Sequence, residues 1–464
     1  MTRGRGPAGP SLSFVVGAVV TVAGWMIGLS GLSDNSFLTH LATGRLIWDT
    51  HHIPTTDPYT FTAAGHSWVV QSWLASVLYG GVDRVGGSGW LLIVIGVIIA
   101  TLAALLWLLT APAVGLIPRL GVMVLAIAIG TAYWSERPLS IGLVALGLTL
   151  LAAEGRLGPR WLVPIFWVWV NVHGSFPLGL VALGALALGR KLDGDRPSVE
   201  LEALKWAVVG CVAACVNPLG PKLLVFPLEL LSKQDILRHV IEWQAPAFTS
   251  PADRAYILMI VLAIATLVRR PTWRAALPLI IFLPLSLIGS RNVVVASVVL
   301  VPGTSAALRG IGSLTGDERR SVFRAGVAAL AAVAALAGIA AARNNPLDVR
   351  SYPVAAVDFA RQAGLLSGDH RIATQDVVGN YLDLVEGPTH KVFVDDRYDM
   401  LPRGLLDDYV VLLGGKPGWE SALNRYGIDV VLWESDLPLA ELLRESSAWR
   451  IVYRDGSYIV ARRV

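Results

Sequence analysis

Residues 34–63 read DNSFLTHLATGRLIWDTHHIPTTDPYTFTA and follow directly on an apolar run, LSFVVGAVVTVAGWMIGLSGL. Two carboxylates, Asp34 and Asp57, and an imidazole, His40, therefore stand just beyond an apolar segment. A carboxylate within hydrogen-bond reach of a hydroxyl can take its proton as a general base. The same residues also have structural uses. Asp34 is placed to N-cap the helix that follows, and Asp is among the best caps; the two roles are compatible. Asp57 precedes a proline and suits an Asx turn. His40 fits either packing or contact with a substrate.

Further polar residues fall between other apolar runs. Glu136 and Arg137 lie in WSERPLS, Arg291 in GSRNV, and Asn171 and His173 in WVNVHGSF. Ionisable groups at such depth usually face a cavity or a partner. Arg137 and Arg291 offer the planar fork that holds a phosphate or diphosphate, or they snorkel at the ends of spans. Asn171 and His173 bind substrate or satisfy backbone broken at a hairpin. Near the C-terminus, VDDRYDM places Asp395, Asp396 and Arg397 at the end of a predicted strand. Such strand ends tend to bind ligands in α/β sheets; the alternative is an internal Asp–Arg pair that fixes a loop.

The elements that must position these residues follow from composition. The chain has 464 residues, 54% hydrophobic and 16% charged, against about 25% charged in a soluble domain. Mean hydropathy is +0.59. Long apolar runs rather than short alternating strands predict a polytopic α-helical membrane protein. The pI near 9.1 is not a nucleic-acid signal, because the basic residues form short clusters between apolar runs, as topology signals do. Cys211 and Cys215 lie four apart in one apolar run, and we expect small buried residues there, with no disulfide or metal site. The start MTRGRGPAGPSLSF resembles a signal-peptide leader, but the run is long enough for an uncleaved first helix.

Spans are expected near 11–32, 89–110, 120–134, 139–154, 161–175, 176–190, 203–217, 254–269, 274–289, 292–308 and 323–342, eleven in all. Several fall short of the roughly 20 residues of a straight span, which implies tilt or thinning. With the N-terminus inside, inner loops hold sixteen basic residues, among them Arg3, Arg5 and Arg119, and outer loops before residue 343 hold eight. That bias supports an inside N-terminus and an outside C-terminus. Residues 68–84, WVVQSWLASVLYGGVDR, would invert this topology as a span, so they are expected to form a helix on the outer surface. The expected organisation is a membrane domain over 1–342, with outer surface helices in 33–88 and 218–253, and an extracytoplasmic α/β domain over 343–464. Trp243 suits the headgroup zone. In the last domain RIATQDV, KVFVDD, IDVVLWE, WRIVYRD and SYIVARR read as strands between helix-like stretches, which indicates a partly parallel sheet.

The order of span, acidic residue, surface helix, IP turn, second acidic residue, surface helix and span resembles the first outer loop of the C-type glycosyltransferase superfamily. The stretches HLATGRLIWDTHHIPTTDPYTFT, WVWVNVHGSFPLG, IEWQAP, VDDRYDM and WRIVYRDGSYIVARR together resemble a bacterial group of multi-pass membrane proteins. The superfamily resemblance implies a membrane glycosyltransferase that moves a sugar from a polyprenyl-phosphate donor to an acceptor on the outer face of the cytoplasmic membrane. Asp34 matches the commonly catalytic acidic position, with Asp57 as the second choice. His40, Glu136, Arg137, Asn171, His173 and Arg291 are the substrate-binding candidates. The paired acidic motif of some members is missing, since Asn35 follows Asp34. That assigns no cofactor and leaves a divalent metal open. Expected partners are a lipid-linked sugar and membrane lipids, not nucleic acid. The alternatives are a transporter or flippase of a lipid-linked molecule, and a non-catalytic scaffold with a partner-binding outer domain.

Overall fold

The computed structural model describes residues 9–232, 244–312, 314–343, 347–368 and 370–464. Arg3, Arg5, Lys233, Arg238 and Trp243, which entered the topology and interface arguments, lie outside the described residues. The chain forms two compact units. One draws on residues up to Leu32, Gly86–Pro227 and residues up to Pro346; the other is built chiefly from Ser33–Val85 and Leu347–Val464.

In the first unit every expected apolar run coincides with a helix. They are α1 (Leu12–Gly28), the second half of α3 (Trp73–Leu109), α4 (Leu116–Tyr133), α5 (Pro138–Ala153), α6 (Leu162–Val172), α7 (Phe176–Leu192) and α8 (Ser198–Ala213). After α9 (Lys222–Leu231) follow α10 (Pro251–Arg269), α11 (Trp273–Ile288), α12 (Asn292–Ala307) and α13 (Val322–Arg343). Among the described residues, four helical stretches are long and apolar enough to cross a membrane: Trp73–Ala113, Leu116–Tyr133, Pro251–Arg269 and Val322–Arg343. The chain is a membrane protein. Eleven crossings are not established by this criterion, because a helix of 16 residues such as α5 rises only about 24 Å at roughly 1.5 Å per residue.

Polar side chains fix the helix ends. Arg119 donates to the Thr110 hydroxyl, the Ser13 hydroxyl and the Trp107 carbonyl, and its guanidinium lies 3.8 Å from the Trp107 ring centroid. It thereby satisfies the Trp107 carbonyl, which the end of α3 leaves open. Where α5 and α7 end and α11 begins, Glu154 and Glu200 pair with Arg274, and Glu200 also with Arg190. Asp193 accepts from the Trp273 and Arg274 amides. Because α11 starts where α5 and α7 finish, and packs along α7, its far end points back toward the starts of α5 and α7.

The second unit is assembled from two stretches far apart in sequence. Asp34 N-caps α2 (Asn35–Thr50), its side chain accepting from the Ser36 amide. The first half of α3 packs back on α2. Gly87, at φ 66°, breaks α3, so the surface helix expected over 68–84 appears as a helix from Trp73 separated from the apolar half by a left-handed glycine. Phe37 and Tyr79 rings meet at 5.2 Å, and Arg45–Asp83 and Arg84–Asp49 ion pairs flank the contact. Residues 347–464 add α14 (Val354–Gln362), β1 (Ile372–Thr374), α15 (Asp376–Val385), α16 (Arg403–Leu413), α17 (Trp419–Arg425), β2 (Val430–Glu434), α18 (Pro438–Glu445), β3 (Trp449–Arg454) and β4 (Tyr458–Arg463). The sheet order is β1-β2-β4-β3, with β1 parallel to β2 and the other pairs antiparallel. It is partly parallel, as expected. The run KVFVDD is not a sheet strand. It pairs instead with the 59–62 stretch through a parallel Thr60–Val392 bridge and the Phe61 amide to Val392 carbonyl bond. Helix α15 was not expected from the sequence.

Helix α2 approaches α3 backbone to backbone at Gly44 and Gly80. A Cβ on Gly44 would land on the Ser76 carbonyl oxygen, whereas one on Gly121 of α4 meets nothing within 4 Å. Gly44→Ala is therefore expected to destabilise by about 1–3 kcal/mol through overpacking. Gly121→Ala should be neutral or stabilising by up to about 1 kcal/mol. Thermal unfolding of the detergent-solubilised protein checks both, and equal melting temperatures for the two variants would refute the close approach.

Candidate active site

Within the second unit Arg397 is the centre of a buried polar network. Its guanidinium donates to Asp395 through Nε at 3.0 Å and to Asp57 through Nη2 at 2.6 Å. The cation also lies 4.3 Å from the Trp68 ring centroid and 4.9 Å from that of Tyr59. Arg397 is 6% exposed and both carboxylates are closed off from solvent. Burial alone would lower the Arg397 pKa, but Asp395 and Asp57 outweigh it and hold the guanidinium charged. Asp57 accepts in addition from the Tyr59 and Thr60 amides and the Thr60 hydroxyl. It forms the turn its place before Pro58 suggests, and it anchors residues 57–60 onto the VDDRYDM segment.

A more exposed constellation lies at the start of α2. Asp34 is half-buried, and its Oδ1 accepts from the Ser36 amide at 3.0 Å. Asp396 is also half-buried and accepts from the Thr39 hydroxyl at 3.1 Å and from the Ser36 side chain. Two carboxylates far apart in the chain thus contact one residue, Ser36. Asn380 of α15 locks them in register: its Oδ1 accepts from the Asp396 amide at 3.0 Å and its Nδ2 donates to the Asn35 carbonyl at 3.2 Å. His40 lies one turn further along α2, half-buried, with Nδ1 3.3 Å from the Ser76 hydroxyl.

Burial pushes Asp396 up to about 7. The Ser36 and Thr39 hydroxyls oppose the rise, and the charges of Asp395 and Asp376 add to it. Asp383, one turn beyond Asn380 on α15, is 1% exposed, and neither carboxylate oxygen has a hydrogen-bond partner among the described residues. Burial raises its pKa, the charge of Asp395 adds to the rise and that of Arg397 opposes it, so its protonated form is favoured.

The remaining sequence candidates belong to the first unit. Arg137 stands at the N-terminus of α5 in a turn closed by the Ser140 hydroxyl on the Ser135 carbonyl, next to buried Glu136. His173 Nδ1 accepts from the Ser175 amide at 3.1 Å, and the Trp169 indole donates to the Ser175 hydroxyl at 3.0 Å. Asn171 is fully buried and donates to the Trp167 carbonyl at 2.7 Å. The first turn of α5 lies against this corner, since a Cβ on Gly142 would meet both the Trp169 indole nitrogen and the Ser175 hydroxyl. The end of α4 reaches α10 through the Tyr133 hydroxyl, which donates to Asp253 at 3.3 Å. Arg291 precedes α12 at the far end of α11, the end that points back toward the starts of α5 and α7. The unit therefore gathers Arg137, His173 and Arg291 toward one set of helix ends, away from the Glu154–Glu200–Arg274 network.

Among the described residues no three His, Cys, Asp or Glu side chains are grouped to hold a metal ion. The acidic cluster is bridged by Arg397 instead, and a guanidinium in that position does not fit a cation. Sequence reasoning noted Asp395, Asp396 and Arg397 but missed Asn380 and Asp383. Their helix starts at Asp376 directly after β1, and its alternation of Val378, Tyr381 and Leu382 with polar residues was the available signal.

No family model matches the chain, and no curated protein does. Two solved structures share its fold: the oligosaccharyltransferase of Archaeoglobus fulgidus tethered by a disulfide to an acceptor peptide containing the NVT sequon, and the same enzyme in its apo form. Each is 12% identical, with a TM-score of 0.51, over 97% of this chain and 74% of the other. At that identity the likeness is one of fold alone.

Two outcomes follow from the network. Arg397→Ala leaves two buried carboxylates without their cation and should cost about 3–5 kcal/mol, read as a lower melting temperature and faster proteolysis of the unit. The Asp396 pKa is raised in the folded state, so the folded protein binds more protons between about 4 and 7. Stability should fall as pH rises through that window and level off above it. Asp396→Asn should flatten part of the slope, which a pH series of unfolding curves measures.

Proposed function

We propose that the chain is a membrane glycosyltransferase that moves a sugar from a polyprenyl-phosphate donor to an acceptor hydroxyl on the outer face of the cytoplasmic membrane. The observation that carries this reading is the C-type fold shared along nearly the whole chain. Among the solved structures that share the fold is an oligosaccharyltransferase with an acceptor peptide tethered to it. We extend that transfer chemistry to this chain as part of the proposal. In our reading eleven helices cross the membrane, with the N-terminus inside and residues 343–464 outside, as the bias of basic residues suggests.

The reaction breaks the acceptor O–H bond and the bond between the anomeric carbon and the phosphate oxygen. It forms a bond from the acceptor oxygen to the anomeric carbon, and polyprenyl phosphate leaves. We assign the proton to Asp34. Its carboxylate is half-buried rather than enclosed, and the Ser36 amide and the α2 N-terminus stabilise its charged form. Asp57 is left an anchoring role because Arg397 and Thr60 occupy it. Arg137 and Arg291 are assigned to the leaving phosphate, where the guanidinium fork matches its oxygens, with His173, Asn171, Glu136 and His40 supporting the substrates.

Asp34→Asn separates capping from chemistry, because Asn caps a helix about as well as Asp but carries no basic carboxylate. The variant should melt like the parent and lose roughly 100- to 10,000-fold in transfer. Near-parental turnover with the lipid-linked sugars that accumulate in cells lacking the gene would end the assignment. Protease added to spheroplasts should remove residues after about 343, and protection of that region would overturn the topology.

A further inference from the structure

The half-buried Asp396 has no role in the transfer as assigned above. Its surroundings do not resemble those of its neighbours. Asp395 and Asp57 are enclosed and spent on Arg397, whereas Asp396 turns to the hydroxyls of Ser36 and Thr39 at the start of α2. The amide of that same Ser36 holds Asp34. Asn380 fixes the backbone on both sides at once, at Asp396 and at Asn35. An independent observation concerns Asp383. It is buried on the helix that carries Asn380, its carboxylate oxygens have no hydrogen-bond partner among the described residues, and the charge of Asp396 is among those that raise its pKa. A carboxyl group buried without partners must keep a proton. The acidic cluster thus favours protonation, and Asp396 is its member that faces the hydroxyls of α2.

We propose, on the transferase reading above, that Asp396 is a positioning residue that orders the first turn of α2 when ionised and so sets the orientation of Asp34. An ionised carboxylate accepts from both hydroxyls and ties the first turn of α2 to the VDDRYDM segment. A protonated one presents a donor on one oxygen, so one of the two hydroxyls must turn from donor to acceptor and the bonding of the turn is rearranged. Its burial places this change near neutral pH. The charged or titratable groups that bear on it are Asp395 on its own segment, Tyr398 beside it, Asp376 and Asp383 on α15, and Asp34 at the cap of α2. Arg397 is engaged by Asp395 and Asp57. The transfer rate should therefore rise with pH through an inflection near 7, while the site stays folded on both sides of it.

The test uses the full-length protein in lipid nanodiscs. Infrared difference spectra across pH should show a protonated-carboxyl band that disappears near pH 7 in the parent and is missing in Asp396→Asn. With lipid-linked sugars extracted from cells lacking the gene, the parent should gain about tenfold in rate between roughly pH 6 and 8, and Asp396→Asn should be flat. Thr39→Val keeps the carboxylate but removes a hydroxyl that favours its charged form, so both inflections should move to higher pH. An Asp396→Asn profile that keeps the parental inflection, or a parental spectrum with no titrating band near neutrality, overturns the inference. If Asp34→Asn abolishes transfer in that case, the transferase reading survives alone. If Asp34→Asn transfers like the parent while the band still titrates, the assignment of the proton to Asp34 is what fails, and if the parent itself transfers no sugar while the band titrates, the transferase reading is what fails.

Discussion

The guanidinium of Arg397 holds together two stretches of chain that the sequence separates by 340 residues. Asp57 arrives from the segment after the first apolar helix, Asp395 from the C-terminal region, and neither carboxylate can be buried ionised without the cation between them. The rings of Tyr59 and Trp68 close over the guanidinium, so the interaction is desolvated and directional. Everything at the candidate site depends on this junction. It brings the 392–397 segment against residues 57–62, and thereby delivers Asp396 to the first turn of α2, where Asp34 is the cap.

The helical unit solves a different problem. Its ionic groups collect at the ends of helices, where neutralising one another or capping backbone is cheapest. Glu154, Glu200, Arg190 and Arg274 cancel at one set of ends. At the other set, Arg137, His173 and Arg291 stand beside helix N-termini and broken turns, positions suited to an anionic group. This asymmetry is what a protein needs if its chemistry is confined to one membrane surface.

Much of this was legible in the sequence, for reasons that can be named. Apolar runs mark helices whatever their depth, so each expected run met a helix. The VGGSG break between the two halves of α3 was visible because only glycine takes φ 66° at Gly87 without strain. Strands β1 to β4 followed from β-branched runs. KVFVDD deceived because its partner is not a sheet strand but residues 59–62, and period-two patterning says nothing about which chain will pair. The alliance of Ser33–Val85 with Leu347–Val464 was likewise invisible, since a contact between distant segments leaves no local signature. Asp396 could be noticed as part of a motif, but its environment is made by Ser36, Thr39 and Asn380, and only folding brings those together.

The central claim, that this fold transfers sugar from a lipid carrier, is tested most directly in cells. Mass spectrometry of lipid-linked sugars and envelope glycans should be compared with the gene present, deleted and restored. The account predicts that deletion accumulates one polyprenyl-linked sugar and removes one glycan, and that restoring the gene reverses both. Identical lipid-linked and envelope glycan profiles in all three strains would contradict it.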